Sequence, residues 1–235
     1  MSSTAISPGY AASAAQELGR RFTTSFASDK TPIVFILDDD ASVRESLELL
    51  VRGEGWRCDT FASAQECLAR PPAVVPNCLV LDAALPGPSA FDLQKRVAID
   101  RPGTPIIFIA GRIDIPTTVK AMKAGAVELF TKPLPEDSLL DSIREAFERS
   151  RVRLAHEAEM RALRDRYRFL SRREREVMAL VAAGLLNKQV GGELGISEIT
   201  VKAHRGQAMQ KMRANSLADL VKMSERLGLE SAPTA

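Results

Sequence analysis

Five residues stand where their chemistry can combine. Asp38, Asp39 and Asp40 directly follow the apolar run Ile33–Leu37, Asp82 directly follows Cys78–Leu81, and Lys132 follows Leu129-Phe130-Thr131. If these runs are neighbouring strands, the carboxylates converge at one sheet edge and repel one another unless a cation sits among them. A hard divalent ion such as Mg²⁺ prefers oxygen ligands of this kind and keeps several waters. An Asp carboxylate can also act as a nucleophile toward phosphorus, and the Lys132 ammonium can balance a phosphoryl group. The set fits metal-assisted phosphorylation of one aspartate. Any one of these residues alone is as well explained as a helix cap or turn residue. Their joint placement at strand ends carries the reading.

The elements that must position them read as alternating strands and helices. Ile33–Leu37, Cys78–Leu81 and Pro105–Ile109 are short and wholly apolar, as strands buried on both faces are. Leu129-Phe130 is a further strand signal. Between them lie helical segments, with Ser42 as the expected cap of the first and others at about 63–68, 89–99 and 115–124. Alternation of this kind implies a parallel sheet with helices on both faces. In such sheets function gathers beyond the carboxyl ends of the strands, which is where Asp38, Asp39, Asp82 and Lys132 fall.

From Glu136 to Phe169 there is neither Gly nor Pro, and Leu139, Leu140, Ile143, Ala146 and Phe147 recur at helical spacing. One long helix is predicted, packed on the first domain and then leaving it as an exposed linker. Leu154, Ala158, Met160 and Leu163 give only a weak heptad seam. Ser171-Arg-Arg-Glu174 matches a capping box. Helices are expected at 172–183, 187–194, 198–214 and 217–227, with Gly195-Ile196-Ser197 as the tight turn of a helix-turn-helix. In Glu198–Gln207, Ile199, Val201, Ala208 and Met212 are expected to anchor the helix. Thr200, Lys202, His204, Arg205 and Gln207 remain for a wetter face that fits a DNA major groove. Gly191 and Gly192 lie inside the preceding helix, where each costs up to about 1 kcal/mol relative to Ala.

Bulk properties narrow the classes. A length of 235 residues allows one or two domains, and the formal charge of +2 hides a mildly acidic stretch at 31–135 followed by an Arg-rich remainder. Cys58, Cys67 and Cys78 form no CxxC pair, so they read as reduced structural thiols of a cytoplasmic protein. No apolar stretch approaches a membrane span, and the first thirty residues lack a secretory core. Rich in Ala, Ser and Thr, they are expected to form a disordered tail with a short helix at Ala11–Arg21.

The motifs together resemble a response regulator of the LuxR/FixJ type, in its FixJ-like subgroup. The receiver resemblance rests on Leu37-Asp-Asp-Asp40 with Val43-Arg44, Leu79-Val-Leu-Asp82, Leu85-Pro-Gly87, Ala121-Met-Lys-Ala-Gly-Ala126 and Lys132-Pro133. The output resemblance rests on Leu170–Glu176, Asn187-Lys188, Leu194-Gly-Ile-Ser197 and Thr200-Val-Lys202. It implies a doubly wound, five-stranded parallel α/β receiver domain, a long helical linker and an all-α, four-helix helix-turn-helix domain. The expected organisation is a tail at 1–30, receiver at 31–148, linker at 149–168, DNA-binding domain at 169–230 and a tail at 231–235.

On that resemblance Asp82 is the phosphoacceptor and Lys132 its phosphate partner. Asp38, Asp39 and Asp82 hold Mg²⁺ with the Ala84 carbonyl, and the Lys132-Pro133 bond is cis. Lys202, His204 and Arg205 are expected to contact the groove, Thr200 and Lys188 to lie nearer the phosphates, and Ala203 to touch a thymine methyl. The implied partners are a sensor histidine kinase, operator duplex DNA, RNA polymerase and a second copy of the chain on DNA. The protein is expected to be a regulator and not an enzyme.

Two positions depart from the family pattern. Ala110 stands where a Thr or Ser hydroxyl bonds a phosphoryl oxygen, and Leu129 stands where a Phe or Tyr turns inward. The missing hydrogen bond is worth roughly 1.5–3 kcal/mol, as much as typical allosteric coupling of about 1–3 kcal/mol. A weakened switch is therefore expected, with Arg112 as a stand-in for the hydroxyl. One alternative is a constitutive DNA-binding regulator with a degenerate receiver. A remoter one is a haloacid-dehalogenase-like phosphatase, because Ile36-Leu-Asp38-Asp-Asp40-Ala-Ser42 fits its motif, with Asp38 as nucleophile and Asp40 as acid/base.

Overall fold

The computed structural model describes residues 30–86, 89–112 and 114–229. The expected helix at Ala11–Arg21, most of the N-terminal tail, the C-terminal tail and Gly87 lie outside the described residues. Among the described residues the elements run β1 (Ile33–Leu37), α1 (Ala41–Gly53), β2 (Arg57–Phe61), α2 (Ala64–Ala69), β3 (Asn77–Asp82), α3 (Ala90–Asp100) and β4 (Ile106–Ala110). They continue as α4 (Ile115–Lys123), β5 (Glu128–Thr131), α5 (Glu136–Arg168), α6 (Arg172–Ala182), α7 (Asn187–Leu194), α8 (Glu198–Met212) and α9 (Leu217–Arg226). No helix among them is long and apolar enough to cross a membrane.

The strands form one parallel sheet in the order β2-β1-β3-β4-β5. Because β1, β3 and β4 are interior, every residue in them is buried, and apart from Asn77 and Asp82 at the two ends of β3 they are apolar. Alternate side chains serve opposite faces. Val34, Ile36, Val80, Ile107 and Ile109 pack under α1 and α5, while Phe35, Leu37, Leu79, Leu81 and Phe108 pack under α2, α3 and α4. β2, Arg-Cys-Asp-Thr-Phe, is an edge strand with one buried residue, Cys58, and its polar alternation gave no apolar run to find in the sequence. All three cysteines are free and buried. Burial pushes the Cys58 thiol up to about 12 and raises Cys67 and Cys78 as well, so none is a reactive thiolate.

Local chemistry sets the helix starts. Asp40, not Ser42, caps α1: its carboxylate accepts from the Ser42 amide at 2.8 Å and from the Ser42 hydroxyl at 2.8 Å. Ser63, Ser89 and Asp114 cap α2, α3 and α4 in the same way. The helix α8 stops at Met212, two residues short of the sequence expectation, because Arg213 adopts the left-handed region at φ 60.

α5 spans 33 residues, or about 50 Å at 1.5 Å per residue. Its first half lays Leu139, Ile143, Ala146 and Phe147 on the sheet. Ser150, fully buried, then ties the helix to the sheet's amino edge: its Oγ donates to the Gly103 carbonyl at 2.6 Å and accepts from the Asn77 amide at 3.1 Å. The distal end is not a free linker. Leu163 is buried among Leu170, Met178, Ala208, Met212 and Leu220, with Met160 and Tyr167 packed against them. Arg166 donates to the Met212 carbonyl at 3.2 Å, which satisfies one of the open acceptors at the end of α8.

The C-terminal helices close around the capping box expected at Ser171. Although Glu174 is buried, its carboxylate accepts from the Ser171 amide at 2.7 Å, and the Lys211 ammonium donates to its two oxygens at 2.8 and 2.7 Å. Burial opposes the Glu174 charge, but these donors prevail and hold its pKa below the usual glutamate value.

The paired glycines of α7 differ in role. A Cβ on Gly191 would meet the Ile196 carbonyl oxygen at 2.7 Å, because the turn folds back to donate from the Ile196 amide to the Gly191 carbonyl at 3.0 Å. Gly192 has nothing within 4 Å of that position. Gly191 is therefore needed for close approach, and only Gly192 carries the simple helix penalty. Gly192→Ala should stabilise the C-terminal unit by about 1 kcal/mol, raising its melting midpoint by roughly 4–8 °C. Gly191→Ala should lower it. Thermal denaturation followed by circular dichroism distinguishes the two, and equal shifts would contradict the assignment.

Candidate metal centre and nucleic-acid interface

The sheet register explains why the acidic residues meet. Leu37 pairs with Leu81, so Asp38 and Asp82, one step further along β1 and β3, share the carboxyl edge. Ala110 pairs with Thr131 on the neighbouring strands, which brings Lys132 to the same edge. The Lys132 Nζ donates to Asp38 Oδ2 and to Asp82 Oδ2, each at 2.7 Å. Asp38 Oδ1 accepts from the Asp40 amide at 2.9 Å, and Asp82 Oδ1 from the Ala84 amide at 2.7 Å. Arg44 pins the loop by donating to the Asp38 and Asp39 carbonyls at 2.7 and 3.0 Å. The Lys132-Pro133 bond is cis.

Asp38 is fully buried and Asp82 nearly so, while Asp39 is exposed. Burial pushes the Asp38 carboxyl above the usual carboxylate range, and the neighbouring Asp82 charge adds to this, against the pull of Lys132 and the Asp40 amide. For Lys132, burial opposes the charge, but the two carboxylate bonds outweigh it and hold its pKa above the ordinary lysine value. Carboxylate oxygens of Asp38, Asp39 and Asp82 lie within 4.8 Å of one another. An all-oxygen, carboxylate-rich set of this size fits a hard divalent cation, with water completing its shell.

Asp40 is not in that cluster. Its carboxylate is spent on the start of α1, and Ser42 lowers its pKa by side-chain and backbone hydrogen bonds. It therefore takes no acid/base position beside Asp38. Ala110 is buried at the end of β4, and its carbonyl accepts from the Lys132 amide at 2.8 Å. Leu129 is half-buried against the core under α2, α3 and α4. Arg112 is exposed and makes no ion pair among the described residues.

At the other end, α7, the Gly195-Ile196-Ser197 turn and α8 form the expected helix-turn-helix. Gly195 closes α7 at φ 65, and Ser197 caps α8 by accepting from the Thr200 amide at 3.1 Å. Val201, Ala208 and Met212 are buried and fix the helix. Ile199, expected to help anchor it, is instead 79% exposed. Thr200 is half-buried, its hydroxyl 2.8 Å from the Ser197 hydroxyl. Lys188 and Lys202 are exposed, and Lys202 pairs with Glu198 at 3.0 Å. Arg205 turns partly inward and donates to Asn187 Oδ1 at 3.0 Å, and His204 is half-buried with an unpartnered Nδ1.

The outermost line of α8 is therefore Ile199, Ala203, Gly206 and Gln210, all exposed and spaced for one helical face. Three of these, Ile199, Gly206 and Gln210, were not among the sequence candidates. Their signal was the phase of the buried positions, which the ambiguous Ile199 obscured. Residues 168–229 hold eleven Lys and Arg against six Asp and Glu, an excess of the sign that phosphates attract.

Comparison with known proteins agrees with both halves. Residues 34–144 match the response regulator receiver domain, and residues 168–224 match the bacterial regulatory proteins of the luxR family. Nodulation protein W of Bradyrhizobium diazoefficiens is 49% identical over 202 residues, covering 86% of this chain and 89% of that protein. The transcriptional regulatory protein FixJ of the same organism is 36% identical over 196 residues, covering 83% and 96% respectively. The solved structure of the response regulator StyR superposes with a TM-score of 0.70 at 43% identity, covering 83% of this chain and 99% of that one. Such proteins are regulators and not enzymes, so the phosphatase reading of Asp38 and Asp40 is set aside. A receiver fold ending in an acidic cluster, a helix-turn-helix, and relatives matching along most of their length establish that this chain belongs to the response regulators of the LuxR/FixJ type.

Proposed function

We propose that the protein is a transcription factor phosphorylated on Asp82 by a partner histidine kinase, and that its phospho-switch is weaker than the family pattern. The receiver occupies 31–148, the linker 149–168 and the DNA-binding domain 169–230, with the last turns of the linker helix packed into that domain's core. The observation that carries the reading is the convergence of Asp38, Asp82 and Lys132 on one sheet edge, with the Lys132 Nζ 2.7 Å from an oxygen of each carboxylate, in a chain that also carries a helix-turn-helix. A cytoplasmic setting follows from its kinase and DNA partners.

Asp38, Asp39 and Asp82, with the Ala84 carbonyl, are the residues that would hold Mg²⁺. Bound there, the ion would supply positive charge beside the phosphoryl oxygens. The Asp82 carboxylate attacks phosphorus of the kinase phosphohistidine, the P–N bond breaks, and an acyl phosphate forms on Asp82. Lys132, now shared between Asp38 and Asp82, is placed to pair with the incoming phosphoryl group. Asp38 also accepts from the Asp40 amide through its other oxygen.

The weak link is next door. Ala110 has no hydroxyl to hold a phosphoryl oxygen, and Leu129 has no ring to follow it inward. The pairing surface formed by α4 and β5 then receives little of the phosphorylation energy. Two copies would still place their α8 helices in half-sites about one helical turn apart, at a promoter read by RNA polymerase. The alternative favoured by the same two residues is a constitutive regulator whose receiver only docks proteins.

The test is duplex affinity and light-scattering mass with and without beryllofluoride and Mg²⁺. The native protein should gain less than about fivefold in affinity, the lower end of ordinary coupling. Ala110→Thr should gain distinctly more. A large gain in both affinity and dimerisation for the native protein would overturn the weak-switch reading.

A further inference from the structure

We propose that Ile199 determines operator specificity by packing against a thymine 5-methyl group in the major groove, with Ala203 one turn further on. The inference rests on the DNA-binding reading and deepens it. Ile199 lies in the first turn of α8 and is 79% exposed, while Val201, Ala208 and Met212 on the opposite side are fully buried. The helix is thus held with Ile199, Ala203 and Gly206 foremost. A β-branched apolar side chain left in water at this site gains nothing in the free protein. It gains only if an apolar partner covers it.

The surroundings say which partner. Lys202 flanks the ridge, and exposed Lys188 stands at the start of α7 across the turn. Cations around a narrow apolar crest complement a groove walled by phosphates and floored by base edges. Thymine is the base that presents a methyl group there. The small residues Ala203 and Gly206 let the helix backbone come close, so the Ile199 branch can reach the groove floor. Lys202 and Arg205 could supply affinity and hydrogen bonding without this packing. Ile199 adds a methyl-dependent preference of its own.

The experiment starts from the duplex that the native 235-residue chain selects from a random-sequence library. Each thymine in a half-site is replaced in turn by deoxyuridine, which lacks only the methyl group. Affinities are measured for the native protein, Ile199→Ser and Ile199→Val. At one thymine per half-site the native protein should lose about fourfold per methyl, the transfer value of one buried CH₂. Ile199→Ser should be indifferent to that change, and Ile199→Val should keep part of the sensitivity.

Equal losses in the native and Ser proteins, or no deoxyuridine effect at any position, would overturn the proposal while leaving DNA binding intact. So would a selected site without a preferred thymine. If Ile199→Ser altered self-association by light scattering yet left thymine preference unchanged, the ridge would belong to a second copy and the proposal would fail. A native protein with no duplex preference at any sequence would remove the DNA-binding reading along with it.

Discussion

Replacing Asp82 with Asn is expected to abolish phosphoryl uptake from acetyl phosphate and Mg²⁺, leaving label at background where the native chain takes up a single group. The reason is local. An amide is not a nucleophile at phosphorus, and no other carboxylate among the described residues takes its position. Asp38 is fully buried and committed to Lys132 and the Asp40 amide, and Asp40 is committed to the start of α1. The variant should remain folded, although the single Asn oxygen can accept from only one of the two donors, Lys132 Nζ and the Ala84 amide, that Asp82 serves with separate oxygens. Losing one charge also relieves the repulsion that Asp82 exerts on Asp38. The relieved repulsion opposes the lost hydrogen bond, so the variant's melting midpoint should stay near that of the native protein. Asp38→Asn keeps the nucleophile but lowers the negative charge available to a cation, so it should label slowly. Retention of label by Asp82→Asn, with loss only in Asp38→Asn, would move the phosphoacceptor to β1 and sink the assignment.

Labelling and switching are separate properties of the acidic edge. Labelling measures whether the chain accepts phosphate. The affinity and mass measurements with beryllofluoride measure whether acceptance is transmitted to α8. On the proposed reading, Ala110 and Leu129 bear chiefly on the second property. A protein that labels fully and barely switches is therefore the expected combination.

The acidic edge was legible in the sequence because strand ends and polar residues coincide there. β1 and the Cys78–Leu81 stretch of β3 are unbroken apolar runs, so the Asp that closes each marks the carboxyl edge of the sheet, and parallel register does the rest. β2 was not legible. As an edge strand with Cys58 as its one buried residue it carries no apolar run, and its existence follows from pairing with β1. Buried polar residues were equally silent. Ser150 looks like an ordinary surface residue of an Arg-rich helix, and Glu174, legible as a capping-box residue, gave no sign of its burial or of Lys211. Each is defined by partners far away in sequence: Asn77 and Gly103 for one, Lys211 for the other. Ile199 was misplaced because an apolar residue within a helical pattern is read by default as core. The rotation of α8 is set by Val201, Ala208 and Met212, and Ile199 falls outside their arc.

That rotation also decides how the basic residues of α8 should behave when removed. Lys202 is exposed beside the outer ridge and is held by Glu198 at 3.0 Å, a pair that solvent largely screens. Its ammonium is free to exchange that carboxylate for a phosphate. Lys202→Ala should therefore weaken binding to all duplexes alike and reduce the salt slope by about 0.9, because one phosphate fewer is neutralised. Arg205 turns partly inward and donates to Asn187 Oδ1 on α7 at 3.0 Å, so it supports the angle between the two helices; on the proposed reading it also reaches the groove edge. Arg205→Ala should cost affinity and also loosen sequence preference. Together the two substitutions should lower affinity for the selected duplex on the order of a hundredfold, if each loss lies within the roughly 1–3 kcal/mol of a good polar interaction. Fluorescence anisotropy at fixed salt gives the number, and a salt titration separates the two contributions. A double variant within twofold of the native protein would mean that α8 does not enter the groove. The DNA-binding surface would then have to be sought on another face of the C-terminal helices.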